Sequence, residues 1–199
     1  MRPTVVKIVS RSAFLPLSAA AVACALVAAA SAPAAGSRDV LNYGDSLAVG
    51  TQLFLDDYLR GWRVRAETEV SRHATDVPGA LRGLGVALPR VIVVSAGTND
   101  DPGTVSRFAR TVRETLAVAG PSRCVIWATI VRPPYAGVSY GGYNRTLRTV
   151  ARRYPSLHVL DWAAMARFHP GWFGSDGVHP SMTGYRARAR ATARLIRRC

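Results

Sequence analysis

Hydrophobic residues along the chain follow two different spacings, and their alternation predicts strands separated by helices. Residues 90–95 form a nearly continuous β-branched run, which is typical of a strand buried on both faces of a sheet. Residues 62–70 alternate apolar and polar side chains with a period of two, which predicts another strand. The five predicted strands are residues 40–43, 62–70, 90–95, 124–131 and 157–160.

Helical periodicity occupies the segments between these strands, and it is weakest in the second helix, where glycines interrupt the pattern. The predicted helices are residues 47–59, 76–88, 102–119, 143–154, 162–168 and 183–198. Strands and helices that alternate at this spacing imply a parallel sheet covered by helices on both faces. The chain is therefore predicted to be α/β, a single-domain flavodoxin-like three-layer sandwich with a five-stranded parallel sheet. Sites in such folds form beyond the carboxyl ends of the strands.

The N-terminal segment has the pattern of a secretory signal peptide. Three cations without an acid precede an apolar, alanine-rich run over residues 13–30, and Ala30-Ser31-Ala32 fits a small-x-small cleavage site. The predicted divisions are a signal peptide at residues 1–32, a short linker at 33–38 and one folded domain at 39–199. An uncleaved membrane anchor and a lipoprotein attached through Cys24 are the alternatives. We expect a protein that is secreted or associated with the cell envelope.

Removal of the signal peptide would leave Cys124 and Cys199 as the remaining cysteines. Two cysteines in an oxidising compartment can pair. Because Cys124 opens a predicted buried strand and Cys199 follows the last predicted helix, a disulfide would attach that helix to the sheet. The alternative is a buried free thiol together with a free terminal one. We expect the disulfide.

The chain is strongly basic, with a formal net charge of +14. Subtracting the three cations of the signal peptide from +14 gives +11, and every strong cation that remains is an arginine. A cationic secreted protein is attracted to anionic surfaces such as the polymers of a cell envelope. Two groups of arginines are interpreted as solvated helix faces: Arg107, Arg110 and Arg113 in the third helix, and Arg186, Arg188, Arg190, Arg194, Arg197 and Arg198 in the last. They accompany no nucleic-acid-binding motif, so we expect no nucleic-acid partner. No feature predicts an oligomer, and a monomer is expected.

Two motifs that lie far apart in the chain predict nucleophilic catalysis by a serine. Gly44-Asp45-Ser46-Leu47 follows the first strand, and Asp176 and His179 lie in a loop before the last helix. A serine hydroxyl becomes a good nucleophile when a base takes its proton, and an imidazole serves as that base when a third group fixes its tautomer. Ser46, His179 and Asp176 are the candidates for these three roles.

A third motif, Gly97-Thr98-Asn99-Asp100, follows the third predicted strand. Its Asn99 can donate a side-chain hydrogen bond to an oxyanion that develops on a substrate. Helix capping by Ser46 and turn formation by Asn99 are the structural alternatives. The histidines outside these motifs show no metal-ligand spacing, and we expect neither a metal nor another cofactor.

With these motifs the chain resembles the SGNH hydrolases, also called GDSL esterases and lipases, over roughly residues 39–198. The resemblance implies that Ser46 is the nucleophile and that His179 and Asp176 complete a catalytic triad. It also implies that the backbone N–H of Ser46 and the side chain of Asn99 form an oxyanion hole.

The family usually supplies a further oxyanion donor from a glycine after the second strand, but residues 70–75 contain no glycine. Arg72 occupies the best-aligned position, so its backbone N–H is the expected third donor. Arginine lacks the freedom of glycine to adopt a positive φ and to approach a substrate closely.

The resemblance implies a serine esterase that hydrolyses acetyl or short acyl esters through an acyl-serine intermediate without a cofactor, and the signal-peptide pattern implies that it is secreted. Small molecules and glycans are the expected carriers of the ester. An O-acyltransferase acting on cell-envelope glycans is the nearest alternative, because the outcome depends on whether water or a sugar hydroxyl attacks the acyl-serine. A non-catalytic module that binds a cell wall through its arginines is the alternative from a different class.

Overall fold

The computed structural model describes residues 38–199. The predicted signal peptide with Cys24, and the predicted linker up to residue 37, lie outside the described residues. Within residues 38–199, no helix is both long enough and apolar enough to cross a membrane.

Five parallel strands form one sheet, which confirms the prediction from the hydrophobic pattern. The strands are β1 (Asp39–Gly44), β2 (Arg63–Thr68), β3 (Val91–Ser95), β4 (Cys124–Ala128) and β5 (Leu157–Leu160). Every neighbouring pair is parallel, and the order across the sheet is β2-β1-β3-β4-β5, as in flavodoxin-like folds. Ligands bind such sheets at the carboxyl ends of β1 and β3, where the strand order changes direction.

All six predicted helices are present. They are α1 (Ser46–Tyr58), α2 (Val77–Leu84), α3 (Val105–Ala119), α4 (Gly141–Ala151), α5 (Trp162–Ala166) and α6 (Met182–Ile196). The bounds of α2 and α3 differ from the prediction for local reasons. Gly85 adopts a φ of 48° and ends α2 in a 3₁₀ turn. The Asp101 carboxylate accepts the Gly103 N–H at 2.9 Å and closes a turn before α3.

Strand β2 is shorter than predicted, because a turn with Ser71 at a φ of 63° follows it. The strand lies at the edge of the sheet, and its arginine and glutamate side chains are largely accessible to solvent. Charged side chains on an edge strand oppose pairing with other chains. The position of β2 at the edge of the sheet thus explains why every second residue in this strand is charged.

Two hydrophobic cores cover the two faces of the sheet and create the three layers. On one face α2, α3 and α4 pack against residues such as Ile92 and Trp127. On the other face α1, α5 and α6 pack against residues such as Val93 and Ile126. All five residues of β3 are buried between these layers, which accounts for its continuous β-branched sequence.

A disulfide joins Cys124 to Cys199, with the two Cα atoms 5.8 Å apart. Cys124 begins β4, and Cys199 lies just beyond α6. The Arg90 guanidinium donates to the Cys199 carbonyl oxygen at 2.9 Å and holds the same end of the chain. The bridge therefore attaches α6 to the amino end of the sheet, away from the carboxyl ends of β1 and β3.

We expect the double variant Cys124→Ser/Cys199→Ser to lose about 4 kcal/mol in free energy of unfolding, the value that the chain-entropy model gives for a loop of this length, 75 residues. Urea denaturation of both proteins measures the difference, and reduction of the wild type should bring its midpoint close to that of the variant. Two free thiols in the non-reduced wild type, detected by mass spectrometry, would contradict the bridge.

Candidate active site

Ser46 begins α1 directly after a tight turn at the end of β1. A side chain at Gly44 would overlap the carbonyl oxygen of Ser95 on the neighbouring strand, so the turn requires glycine. Asp45 caps the helix, because its carboxylate accepts the Leu47 N–H at 3.0 Å. Capping therefore does not occupy the Ser46 hydroxyl, and the Ser46 N–H lies at a helix start, where N–H groups lack intrahelical partners.

The three residues predicted as a triad are in contact. The Ser46 Oγ lies 2.8 Å from the His179 Nε2, and the His179 Nδ1 lies 2.7 Å from the Asp176 Oδ2. This arrangement fits an imidazole whose Nδ1–H donates to Asp176 and whose Nε2 accepts the Ser46 hydroxyl proton. The imidazole is thereby placed to act as a base toward Ser46.

The loop that carries Asp176 and His179 is held by its own backbone. The Asp176 Oδ1 accepts the N–H groups of Val178 at 2.9 Å and His179 at 3.0 Å. Gly177, with a φ of 65°, permits the turn between them. The hydrogen bond from the His179 ring, followed by the two backbone N–H groups, lowers the pKa of Asp176 to about 2. The carboxylate consequently stays ionised near neutral pH and can orient the imidazole.

Trp172 and Phe173, which precede this loop, pack against α5 and do not line the cleft beside Ser46. The Trp172 ring stacks on Trp162 with centroids 5.3 Å apart and on His169 at 3.9 Å. Phe173 also contacts Trp162, at 5.9 Å between centroids. Trp162 is fully buried, so this aromatic cluster fixes the base of the catalytic loop to the core.

Asn99 follows β3 and lies in the same cleft as Ser46. Its Nδ2 donates one hydrogen bond, to the Arg72 carbonyl oxygen at 3.2 Å. An amide nitrogen carries two hydrogens, so the second remains for a substrate. The adjacent Asp100 connects the same two loops, since its carboxylate accepts the Ala74 N–H at 2.9 Å. The loops after β2 and β3 are thus joined at the position where the resemblance implies an oxyanion hole.

The Arg72 side chain is not part of the cleft lining. Its guanidinium lies 4.6 Å from the centroid of the Tyr43 ring and donates to the Glu67 carbonyl oxygen at 2.6 Å and the Glu69 carboxylate at 2.8 Å. What Arg72 presents to Asn99 is its backbone carbonyl. The left-handed conformation in this loop belongs to Ser71, the preceding residue. The role of the Arg72 N–H as a third oxyanion donor stays a prediction.

A buried charge network beneath Ser46 is a feature that the sequence did not reveal. Arg188 of α6 is only 2% exposed, and the interpretation of this residue as part of a solvated face is wrong. Its Nη2 donates to the Ser95 Oγ at 2.9 Å, and that hydroxyl donates to the Asp45 Oδ1 at 3.2 Å. Its Nη1 contacts the Thr51 Oγ1 at 3.3 Å. A positive and a negative charge are thus connected in the core through one serine hydroxyl.

Burial acts on the pKa of both charged partners. It raises the pKa of the Asp45 carboxyl, an effect that the positive charge of Arg188 opposes. It lowers the pKa of the Arg188 guanidinium, which the charge of Asp45 opposes in turn. The burial of Arg188 could have been inferred from its position in the sequence. Arg188 lies on the same helix face as the buried residues Thr192 and Ile196, at intervals of four residues.

The cleft beside Ser46 has a volume of about 400 Å³. Its lining comprises Ser46, Asn99, Arg132, Pro133, Pro134, Tyr135, Asp176, Val178 and His179. The segment after β4 forms one wall and is shaped by a small hairpin, in which Tyr135 and Val138 exchange backbone hydrogen bonds of 3.0 and 2.9 Å. The long connection after β4 is therefore part of the cleft wall.

The lowered pKa of Asp176 predicts a contribution to stability that disappears in acid. Because the pKa in the folded state lies below the ordinary value of 3.8, the contribution is complete above that value and is lost as the pH falls through about 2. We expect Asp176→Asn to be less stable than the wild type near neutral pH, with a difference that shrinks as the pH approaches about 2. Urea unfolding of both proteins across this range measures it, and a pH-independent difference would contradict the assignment.

The family model described as the GDSL-like lipase/acylhydrolase family matches residues 27–187. No curated protein matches the sequence. Several solved structures are similar. The catalytic domain of peptidoglycan O-acetyltransferase A from Streptococcus pneumoniae is 21% identical with a TM-score of 0.63, over 80% of this chain and 90% of that one. A lipolytic protein of the G-D-S-L family from Veillonella parvula is 16% identical with a TM-score of 0.67, over 81% and 99%. A family 3 carbohydrate esterase from Clostridium thermocellum is 16% identical with a TM-score of 0.64, over 80% and 97%.

Because these solved structures are only 16–21% identical in sequence, they support the fold alone. The family match shows the family to which the chain belongs. That match spans far more than half of the chain and includes all three motifs described above. The chain therefore belongs to the GDSL-like lipase/acylhydrolase family and is a GDSL-type serine hydrolase that acts on ester bonds.

Proposed function

We propose that the protein hydrolyses carboxylic esters of acetyl or other short acyl groups through an acyl intermediate on Ser46. One observation carries the proposal: the continuous hydrogen-bonded array from the Ser46 Oγ through His179 to Asp176, at the wall of an open cleft. The array supplies a nucleophile, a base and an orienting carboxylate, which are the groups that acyl transfer by serine requires.

In the first half of the reaction, the Ser46 Oγ attacks the ester carbonyl carbon while the His179 Nε2 accepts the hydroxyl proton. The carbonyl oxygen becomes an oxyanion in the tetrahedral intermediate. When this intermediate collapses, the bond to the alcohol oxygen breaks and His179 transfers its proton to that oxygen, so the alcohol leaves neutral. Asp176 stays ionised throughout and stabilises the imidazolium.

In the second half, water attacks the acyl-serine while His179 accepts a proton from the water. The bond between the acyl carbon and the Ser46 Oγ then breaks, and His179 returns the proton to that oxygen. The acid is released and the enzyme is restored. Both halves use the same base and require no cofactor.

The oxyanion would be stabilised by donors from three loops. The Ser46 N–H lies at the start of α1, where the helix dipole favours negative charge. The free hydrogen of the Asn99 amide is the second donor, and the Arg72 N–H is proposed as the third. Each such donor is typically worth roughly 10²- to 10³-fold in kcat.

The form of the cleft supports small substrates or the exposed end of a glycan. Pro133, Pro134 and Val178 provide apolar surface beside Ser46, and Tyr135 exposes 55% of its surface in the same wall. A cleft of about 400 Å³ suits a short acyl group together with part of its alcohol. Two proteins of similar fold have names that refer to peptidoglycan and to carbohydrate, which favours a glycan as the carrier.

We place the enzyme outside the cytoplasm, in secreted or envelope-associated form. The signal-peptide pattern at residues 1–32 supports this location. The disulfide between Cys124 and Cys199 also supports it, because such bonds persist in oxidising compartments. Attraction of the monomeric, cationic domain at 39–199 to anionic envelope polymers is part of the proposal.

Transfer of the acyl group to a sugar hydroxyl is the second candidate. Its support is the similarity of fold to an O-acetyltransferase, together with a cleft that is open to solvent. The contacts of Ser46, His179 and Asp176 favour either enzyme over a non-catalytic wall-binding module.

We expect a fluorophosphonate probe to label Ser46 and the wild type to hydrolyse p-nitrophenyl acetate, with rates that fall as the acyl chain is lengthened. Ser46→Ala and His179→Ala should each abolish turnover, because the nucleophile or its base is removed. Circular dichroism should show that both variants keep the fold.

Ser139→Ala is the matched control, because Ser139 is an exposed serine of the connection that forms the cleft wall and lines no part of the cleft. Labelling of another residue, or full activity in Ser46→Ala, would overturn the mechanism. Adding sugar acceptors separates the two candidates: free acid alone indicates hydrolysis, and acylated sugar indicates transfer.

A further inference from the structure

A single arginine brings positive charge into the wall of the cleft. Arg132 follows β4 and is partly buried. Its Nη1 donates to the Thr98 carbonyl oxygen at 2.5 Å, immediately before Asn99 in the chain. This contact fixes the guanidinium beside the proposed oxyanion hole and uses one of its five N–H donors.

The hydrogen bond to the Thr98 carbonyl oxygen uses only part of the donor capacity of this guanidinium. The Tyr140 hydroxyl also lies 3.1 Å from this oxygen and 3.0 Å from the Asp100 carbonyl oxygen, and its one hydrogen is shared between the two. Arg132 also forms no ion pair with any residue in the described part of the chain. A partly buried cation without an anionic partner carries a desolvation cost that a bound anion would offset.

The cleft offers no anion of its own to Arg132. Asp176 is the one acid in the cleft lining that residues 38–199 form. Its Oδ2 is bound to the His179 ring, and its Oδ1 accepts two backbone N–H groups. The remaining N–H groups of Arg132 are therefore available for a substrate, and a guanidinium suits a planar carboxylate, which it binds through two parallel hydrogen bonds.

We propose that Arg132 selects esters that carry a carboxylate close to the scissile bond, such as acyl esters of acidic sugars. This inference rests on the proposed function, because it assigns the substrate class of the same site. The carboxylate can belong to the alcohol or to the acyl group, and the two sources are distinguished by the choice of substrate.

The test compares matched charged and neutral esters. For the alcohol side the pair is 3-acetoxybenzoate and 3-acetoxybenzamide, and for the acyl side it is mono-p-nitrophenyl adipate and its methyl ester. We expect the wild type to prefer the carboxylate member of at least one pair by about tenfold or more in kcat/KM, as one charge-assisted contact allows. Added salt should reduce the preference, because it screens the pair.

Substitutions at Arg132 should change this ratio in a defined order. Arg132→Lys should retain part of the preference, Arg132→Gln should bring the ratio close to one, and Arg132→Glu should favour the cationic ester 3-acetoxy-N,N,N-trimethylanilinium. Arg145→Gln is the matched control, because Arg145 is an exposed arginine of α4 that lines no part of the cleft. Labelling by the fluorophosphonate probe verifies that each variant keeps an intact site.

Equal rates on the charged and neutral members of both pairs in the wild type would overturn the inference. An Arg132→Gln variant that slows both members of a pair equally would also overturn it, because Arg132 would then only position the loop at Thr98. Either result leaves the proposed function standing as long as Ser46-dependent hydrolysis of the neutral esters is observed. Loss of all Ser46-dependent hydrolysis in the wild type would instead reject the proposed function and this inference with it.

Discussion

Two opposite charges buried beneath the nucleophile connect three parts of the chain that are far apart in sequence. Asp45 is inaccessible to solvent and Arg188 nearly so, and the Ser95 hydroxyl connects them. A buried charge is costly unless it is paired, so removal of either partner should destabilise the fold by about 3–5 kcal/mol. The turn after β1, the end of β3 and the middle of α6 are therefore coupled through these two charges.

This constraint determines where the catalytic groups lie. The Asp45 N–H donates to the Ser95 carbonyl oxygen at 2.9 Å, and the Asp45 carboxylate caps α1, so Ser46 has little freedom. The helix that carries Arg188 begins at Met182, directly after the loop of Asp176 and His179. One buried network thus fixes both the nucleophile and the helix that follows its base. The triad itself can then remain accessible to substrate, with its loop held by backbone hydrogen bonds.

The sequence predicted the features that repeat along the chain or follow from a motif. The β-branched run of β3 predicted burial on both faces, and the alternation of strands and helices predicted the parallel sheet. Arg188 could not be recognised in this way, because a charged residue in an arginine-rich helix resembles a solvated one, and its partners Asp45 and Ser95 lie far away in the chain. The orientation of the Arg72 side chain likewise depends on Tyr43 of β1, a contact that exists only after β1 and β2 pair.

Catalysis by this protein requires that Ser46, activated by His179 and Asp176, attack the ester to form a tetrahedral intermediate whose oxyanion faces Asn99, before the acyl-serine forms. A crystal structure of the protein after reaction with a small phosphonyl fluoride tests it most directly. We expect phosphorus bound to the Ser46 Oγ, with the phosphoryl oxygen about 3 Å from the Ser46 N–H and the Asn99 Nδ2. An adduct on another residue, or a phosphoryl oxygen directed away from Asn99, would contradict it.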